Sequence, residues 1–108
     1  MQSKTTPHNL IDAATVAVDW NKSVNQQVTM AGNRTFTFSN PVAGSFYTLK
    51  ITQDATGSRL ATFPAAVEWA GGSAPTLTTT ASRVDIITFY YDGTDYFDVA
   101  IKKDYNLA

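Results

Sequence analysis

Apolar residues in this chain recur at every second position and hardly anywhere at helical spacing. In residues 14–20, Ala14, Val16, Val18 and Trp20 fall on one side and Thr15, Ala17 and Asp19 on the other. Residues 46–53 turn Tyr47, Leu49 and Ile51 inward and Thr48, Lys50 and Thr52 outward, and residues 34–38 set Phe36 and Phe38 against Thr35 and Thr37. Period two belongs to a strand buried on one face, and Thr, Val, Phe and Tyr are the residues such strands favour. A chain patterned in this way has to build sheets.

The punctuation between the alternating runs sets strand lengths. SNPVAG (39–44), QDATGSR (53–59) and AGGSAP (70–75) read as turns or loops, and Pro64 ends a strand over 60–63. Eight or nine short strands result, which predicts an all-β domain over 12–108, an antiparallel sandwich or jelly-roll-like fold. Residues 1–11 are mostly polar, contain Pro7 and show no alternation, so they read as an extended N-terminal arm. Between residues 28–30 and 34–38, a three-residue loop of Ala31, Gly32 and Asn33 keeps Val28 and Phe36 on one face, where a two-residue loop would pair apolar with polar.

The stretch YYDGTDYFD, residues 90–98, holds three carboxylates among four aromatics. Asp92-Gly93 is a two-residue hairpin signal, which would set Tyr91 opposite Thr94 and Phe89 opposite Tyr96. Residues three apart on a strand point to opposite faces, so Asp95 and Asp98 do not converge on one ion, and the spacing of a calcium loop is absent. Both faces of this hairpin are apolar. One carries Val84, Ile86, Thr88, Tyr90, Phe97, Val99 and Ile101, and the other Ile87, Phe89, Tyr91, Tyr96 and Ala100. A sandwich needs one buried face per sheet. Ile87, Phe89, Tyr91 and Tyr96 are therefore expected at an interface between subunits, unless the arm or a loop of the same chain covers them.

Several function classes lose their footing. Eight basic and nine acidic residues leave a net charge of −1, with no basic field for a nucleic acid. Without cysteine there is no disulfide or thiolate metal site, and no stretch reaches the ~20 apolar residues of a membrane helix. The single histidine, His8, lies in the arm, a poor mount for a catalytic base, and no nucleophile-elbow, zincin or phosphate-loop motif occurs. Acid pairs such as Asp54 and Glu68 lack room for a substrate cleft in so short a chain. No enzyme, cofactor or metal site is expected. Trp20 ends an apolar face and belongs to the core, whereas Trp69, before Gly71-Gly72, is a candidate contact for a glycan or a neighbouring subunit.

Residues 12–101 resemble a small β domain of tailed-phage virion proteins, found in tail fibres and other appendages. The resemblance is carried jointly, in this order, by Met30 to Pro41, QDATGSR, PAAVEWAGG (64–72) and TLTTTASRVDIITFYYDGTDYF (76–97). It implies a non-enzymatic virion building block, often trimeric, made in the host cytoplasm and carried on the particle surface. In that family the domain usually ends a longer protein, while here about a dozen residues precede it. That points to a homotrimeric capsid decoration protein whose arm, through Thr5, Thr6, Pro7 and His8, docks on a major capsid or tail protein. The alternative is a tail-fibre or tail-tip module that recognises host surface glycans.

Overall fold

The computed structural model describes residues 4–107. Its strands are β1 (His8–Asn9), β2 (Thr15–Asp19), β3 (Asn25–Met30), β4 (Arg34–Ser39), β5 (Phe46–Gln53), β6 (Ala61–Thr62), β7 (Val67–Glu68), β8 (Arg83–Tyr91) and β9 (Tyr96–Asn106). They form a six-stranded sheet in the order β1-β3-β5-β8-β9-β7 and a three-stranded sheet β2-β4-β6. The all-β sandwich follows the alternation. Val16, Val18 and Trp20 from one sheet and Tyr47, Leu49 and Ile51 from the other are buried, each contributing about 1.5–3 kcal/mol of apolar burial.

The strands are not antiparallel throughout. From β1 to β6 the chain switches sheet at each step, so β3 pairs in parallel with β1 and β5, and β4 with β2 and β6. Parallel pairing needs a crossover, and here each crossover is a strand of the opposite sheet. Among the described residues, only β5–β8 and β8–β9 pair antiparallel. The Ala31–Asn33 hairpin is absent for the same reason, because β3 and β4 lie in different sheets. Val28 and Phe36 do share one apolar space, but they meet across the core rather than side by side. The corner between them is held by Asp12, which accepts the Ala31 N–H at 3.0 Å and pairs with the Arg34 guanidinium at 2.7 and 2.8 Å.

That corner makes one prediction. The Arg34 guanidinium, helped by the Ala31 N–H, holds the Asp12 carboxyl below its ordinary value of 3.8. A depressed folded-state value adds stability that is complete above the unfolded value and is lost as pH falls through the folded one. The stability gap between the native chain and Asp12→Asn should therefore shrink as pH drops from about 5 to about 2. Denaturant titrations across that range check this, and a constant gap would show that the pair adds nothing through its charge.

Residues 4–12 lie along the domain instead of projecting from it. The Lys4 carbonyl accepts the Val24 N–H and the Ser23 hydroxyl, the Thr5 carbonyl accepts Asn25 Nδ2, and β1 pairs with Gln26 and Gln27 of β3. The segment fills the donor and acceptor row that β3 would otherwise leave open. Residues 1–3 of the expected arm lie outside the described residues.

At the other end, Asp92-Gly93 does not form a two-residue hairpin. The loop is four residues long, with Tyr91 opposite Tyr96. Asp92 Oδ1 accepts the N–H groups of Thr94 and Asp95, both at 2.8 Å, and this side-chain turn replaces one that would need positive φ at both central positions. The register moves by two residues, so the faces near the loop stay as expected. Beyond it, a bulge between Phe89 and Thr88 reverses them. Ile101 becomes the partner of Ile87 and packs inward, and Ala100, expected inward, pairs with Thr88.

Candidate functional site

Geometry removes most of the candidates offered by the sequence. Ile87, Phe89 and Tyr96 are buried in the domain's own core, and Tyr91 packs against it. The three-stranded sheet and its flanking loops cover that face. Phe38 meets Phe89 at 5.5 Å and Tyr96 at 5.1 Å, and Trp69 meets Phe89 at 5.8 Å between ring centroids. Burial pushes the Tyr96 phenol up to about 12, with the indole of Trp20 opposing the shift. Ile87, Phe89 and Tyr96 are therefore not available to a neighbouring subunit, whereas Tyr91 keeps part of its surface open.

Trp69 is half-buried, with edge-to-face contacts to Phe63 at 5.3 Å and to Phe89. It closes the core at the β7 end and is no free stacking platform. Trp20 stacks on Tyr47 at 4.5 Å. Thr5, Thr6 and Pro7 are exposed along the β3 edge, and His8 is half-buried in β1. The carboxylates of the loop serve separate turns: Asp92 caps its own, and Asp98 accepts the Ala70 N–H at 2.7 Å. Asp54 is taken by Arg59 at 2.9 Å. Among the described residues no group of three or more His, Asp or Glu side chains is placed to hold a metal ion.

What remains is the outward face of the six-stranded sheet. Parallel pairing aligns Asn25 with Thr48, Gln27 with Lys50 and Thr29 with Thr52, and antiparallel pairing continues the rows through Thr88 and Ile86. At one corner lies a groove of about 200 Å³ lined by Asn9, Gln27, Thr29, Lys50 and Thr52 over Leu10 and Val28. Gln27 Nε2 donates to Asn9 Oδ1 at 2.7 Å, which fixes both amides. Thr29 and Thr52 also line a second depression of about 590 Å³, with Asp54, Ser82, Asn106 and Leu107. Sharing Thr29 and Thr52, the two adjoin as one trough across the sheet end; the part beside Lys50 is rich in amides and hydroxyls, and the part toward Leu107 is mostly apolar. Groups of this kind over an apolar floor orient a hydroxylated ligand by hydrogen bonds.

The opposite corner of the same face is apolar. Phe46 is 56% exposed, Phe97 38% and Val99 51%. Tyr90 stands between Phe46 and Phe97 in the ladder, with the Phe46 and Tyr90 rings 5.2 Å apart and tilted by 50°.

The sequence could have shown neither corner in full. Lys50, Thr52 and Thr29 read as outward positions, but their meeting with Asn9 depends on parallel pairing of three segments that the alternation leaves unordered. Tyr90, Phe97 and Val99 were legible as one face of a hairpin. Phe46 joins them only through the β5–β8 register.

Residues 20–96 match a family model described as "putative phage tail fibre C-terminal domain". No curated protein and no solved structure matches the chain.

Proposed function

The chain belongs to the phage tail fibre C-terminal domain family, and from that premise we propose that it is a non-enzymatic, virion-associated binding module which recognises host surface glycans. The family match over residues 20–96 carries this reading, because fold alone would not select a function. The trough from Asn9 to Leu107 supplies the contact surface. Its length across three or more strands suits several linked sugar units, and Lys50 would meet a carboxylate or phosphate on one of them. Catalysis has no assigned role in this reading: binding positions the fibre on the cell.

Capsid decoration, the reading placed first from the sequence, has less support. The match is to a tail fibre family, and residues 4–10 are spent along the domain's own sheet edge rather than reaching for a shell. The homotrimer expected with it has lost Ile87, Phe89 and Tyr96, three of the four residues chosen to hold it together, to the domain's own core.

A panel of purified bacterial cell-surface polysaccharides, read by calorimetry, tests the proposal. At least one should bind, and Lys50→Ala combined with Thr29→Val should weaken it at least tenfold, about 1.4 kcal/mol, with thermal stability unchanged. Both side chains point away from the core, so the double variant should fold. Undiminished binding by it would move the site elsewhere.

A further inference from the structure

The trough borders a row of the sheet that carries charge with nothing to balance it. Register sets Lys50, Ile86 and Lys102 side by side on β5, β8 and β9. Ile87 and Ile101 take the core side, so Ile86 and its two neighbours in the row point outward. Each arginine of the chain is paired with an aspartate: Arg34 with Asp12, Arg59 with Asp54 and Arg83 with Asp104. Lys103 donates to the Thr76 carbonyl at 2.7 Å. The ammonium groups of Lys50 and Lys102 have no such partner among the described residues. Two other nearby carboxylates are already engaged, Asp85 by the N–H groups of Thr78 and Asp104, and Asp98 by that of Ala70.

Lysines two strands apart stand about 9.5 Å from each other at the backbone. Their flexible four-carbon stems let both ammonium groups close on one anionic group held over the half-buried Ile86. One step along the strands, the Thr48 and Thr88 hydroxyls share a hydrogen bond at 3.0 Å. That pair still has a hydroxyl proton and spare lone pairs to offer the hydroxyls of a sugar. We infer that the polymer taken by this face is an acidic glycan, whose carboxylate or phosphate sits between Lys50 and Lys102 while neighbouring sugar units lie in the trough. That assignment rests on the glycan reading and narrows its ligand class. Lys50 lines the trough and Lys102 stands outside it, so the binding surface continues over Ile86 to β9. A neutral polysaccharide would leave both ammonium groups without a counter-charge, and is therefore the weaker ligand.

Calorimetry with the polysaccharide panel tests it in two arms. The members that bind should carry uronic acid or phosphate groups. Reducing the carboxyls to alcohols, or removing the phosphates where these supply the charge, should weaken binding at least about tenfold, and the treatment that succeeds names the anion. In the second arm, Lys102→Gln should weaken binding of the untreated polymer about fivefold and leave binding of the neutralised polymer unchanged. Lys102 is exposed, so thermal stability should hold, and Lys102→Arg, which keeps the charge, should bind like the native chain. A neutral member bound as tightly as any acidic one would overturn the inference and leave the glycan reading standing. So would a Lys102→Gln chain that binds the untreated polymer normally, or one that loses as much on the neutralised polymer. Binding to no member of the panel would end both.

Discussion

Gly57→Ala should destabilise the fold by about 3 kcal/mol, enough to lower the melting temperature by roughly 12 °C in a domain of this size. Gly57 has φ +73, a region that costs an L-residue about 1–2 kcal/mol. It is also the glycine with least room. A Cβ there would stand 2.6 Å from the Thr79 carbonyl oxygen and 2.8 Å from the Ala81 nitrogen, both backbone atoms that cannot swing aside. Gly44 provides the comparison. Its φ is +85, yet nothing lies within 4 Å of a Cβ built on it. Gly44→Ala should cost only the backbone term, about 1 kcal/mol. Chemical denaturation of the two variants separates strain from contact. Equal losses at both positions would mean that the approach at Gly57 relaxes without cost.

The contact matters because QDATGSR is a clamp. Gln53 is 3% exposed, and its amide is fully used: Nε2 donates to the carbonyls of Arg59 and Thr78, and Oε1 accepts the Arg59 N–H. Asp54 Oδ1 accepts the N–H groups of Thr56 and Gly57 and, with Oδ2, holds the Arg59 guanidinium. Ser58 N–H reaches the Thr79 carbonyl at 2.7 Å. The segment thereby ties the end of β5 to residues 78–82, the long connection that leads into β8. Gln53 and Asp54 spend their side-chain polar atoms on backbone and on Arg59, so the motif carries architecture.

Much of the fold was legible because burial on one face writes itself into alternate positions. The inward sets of β2, β4 and β5 follow from that rule alone, and Tyr47, Leu49, Ile51 and Phe36 are where it places them. Pairing was not legible. Alternation says which face a residue uses, but not which sheet its strand joins, and Ala31–Asn33 serves a sheet-switching corner as well as a hairpin. The Asp92–Asp95 loop failed for a different reason. A side chain took over the turn, which no strand pattern records. Reading Ile87, Phe89 and Tyr96 as an outer surface followed from both faces of the hairpin being apolar. The pattern identified two candidate faces without ranking them, and the opposing sheet covers the one first assigned outward.

Asp85 is the residue on that inner face which the alternation would least expect, and its replacement should have the other large effect. It is 2% exposed and sits opposite Ile51. Its Oδ2 accepts the Thr78 N–H at 2.7 Å and its Oδ1 the Asp104 N–H at 2.9 Å. One carboxylate thus ties β8 both to the incoming connection and to β9, at the place where the β9 register slips between Val84 and Ile86. Asp104 stands at φ +70, so its N–H has left the regular ladder and needs this acceptor. Asp85→Ala removes two charge-assisted hydrogen bonds and strands both donors, at a cost of about 3–4 kcal/mol. Asp85→Asn keeps the shape but turns a donor toward one of the two N–H groups, and should cost about 2 kcal/mol. Asp104→Ala, which loses an exposed pairing with Arg83 and puts Ala at a φ that Asp tolerates better, should cost about 1 kcal/mol. Denaturant midpoints rank the three, and amide exchange shows where the damage lies, because the Thr78 and Asp104 amides should lose protection together in both Asp85 variants. If Asp85→Ala behaves like Asp104→Ala, then the bulge and not the carboxylate sets the register of the last strand.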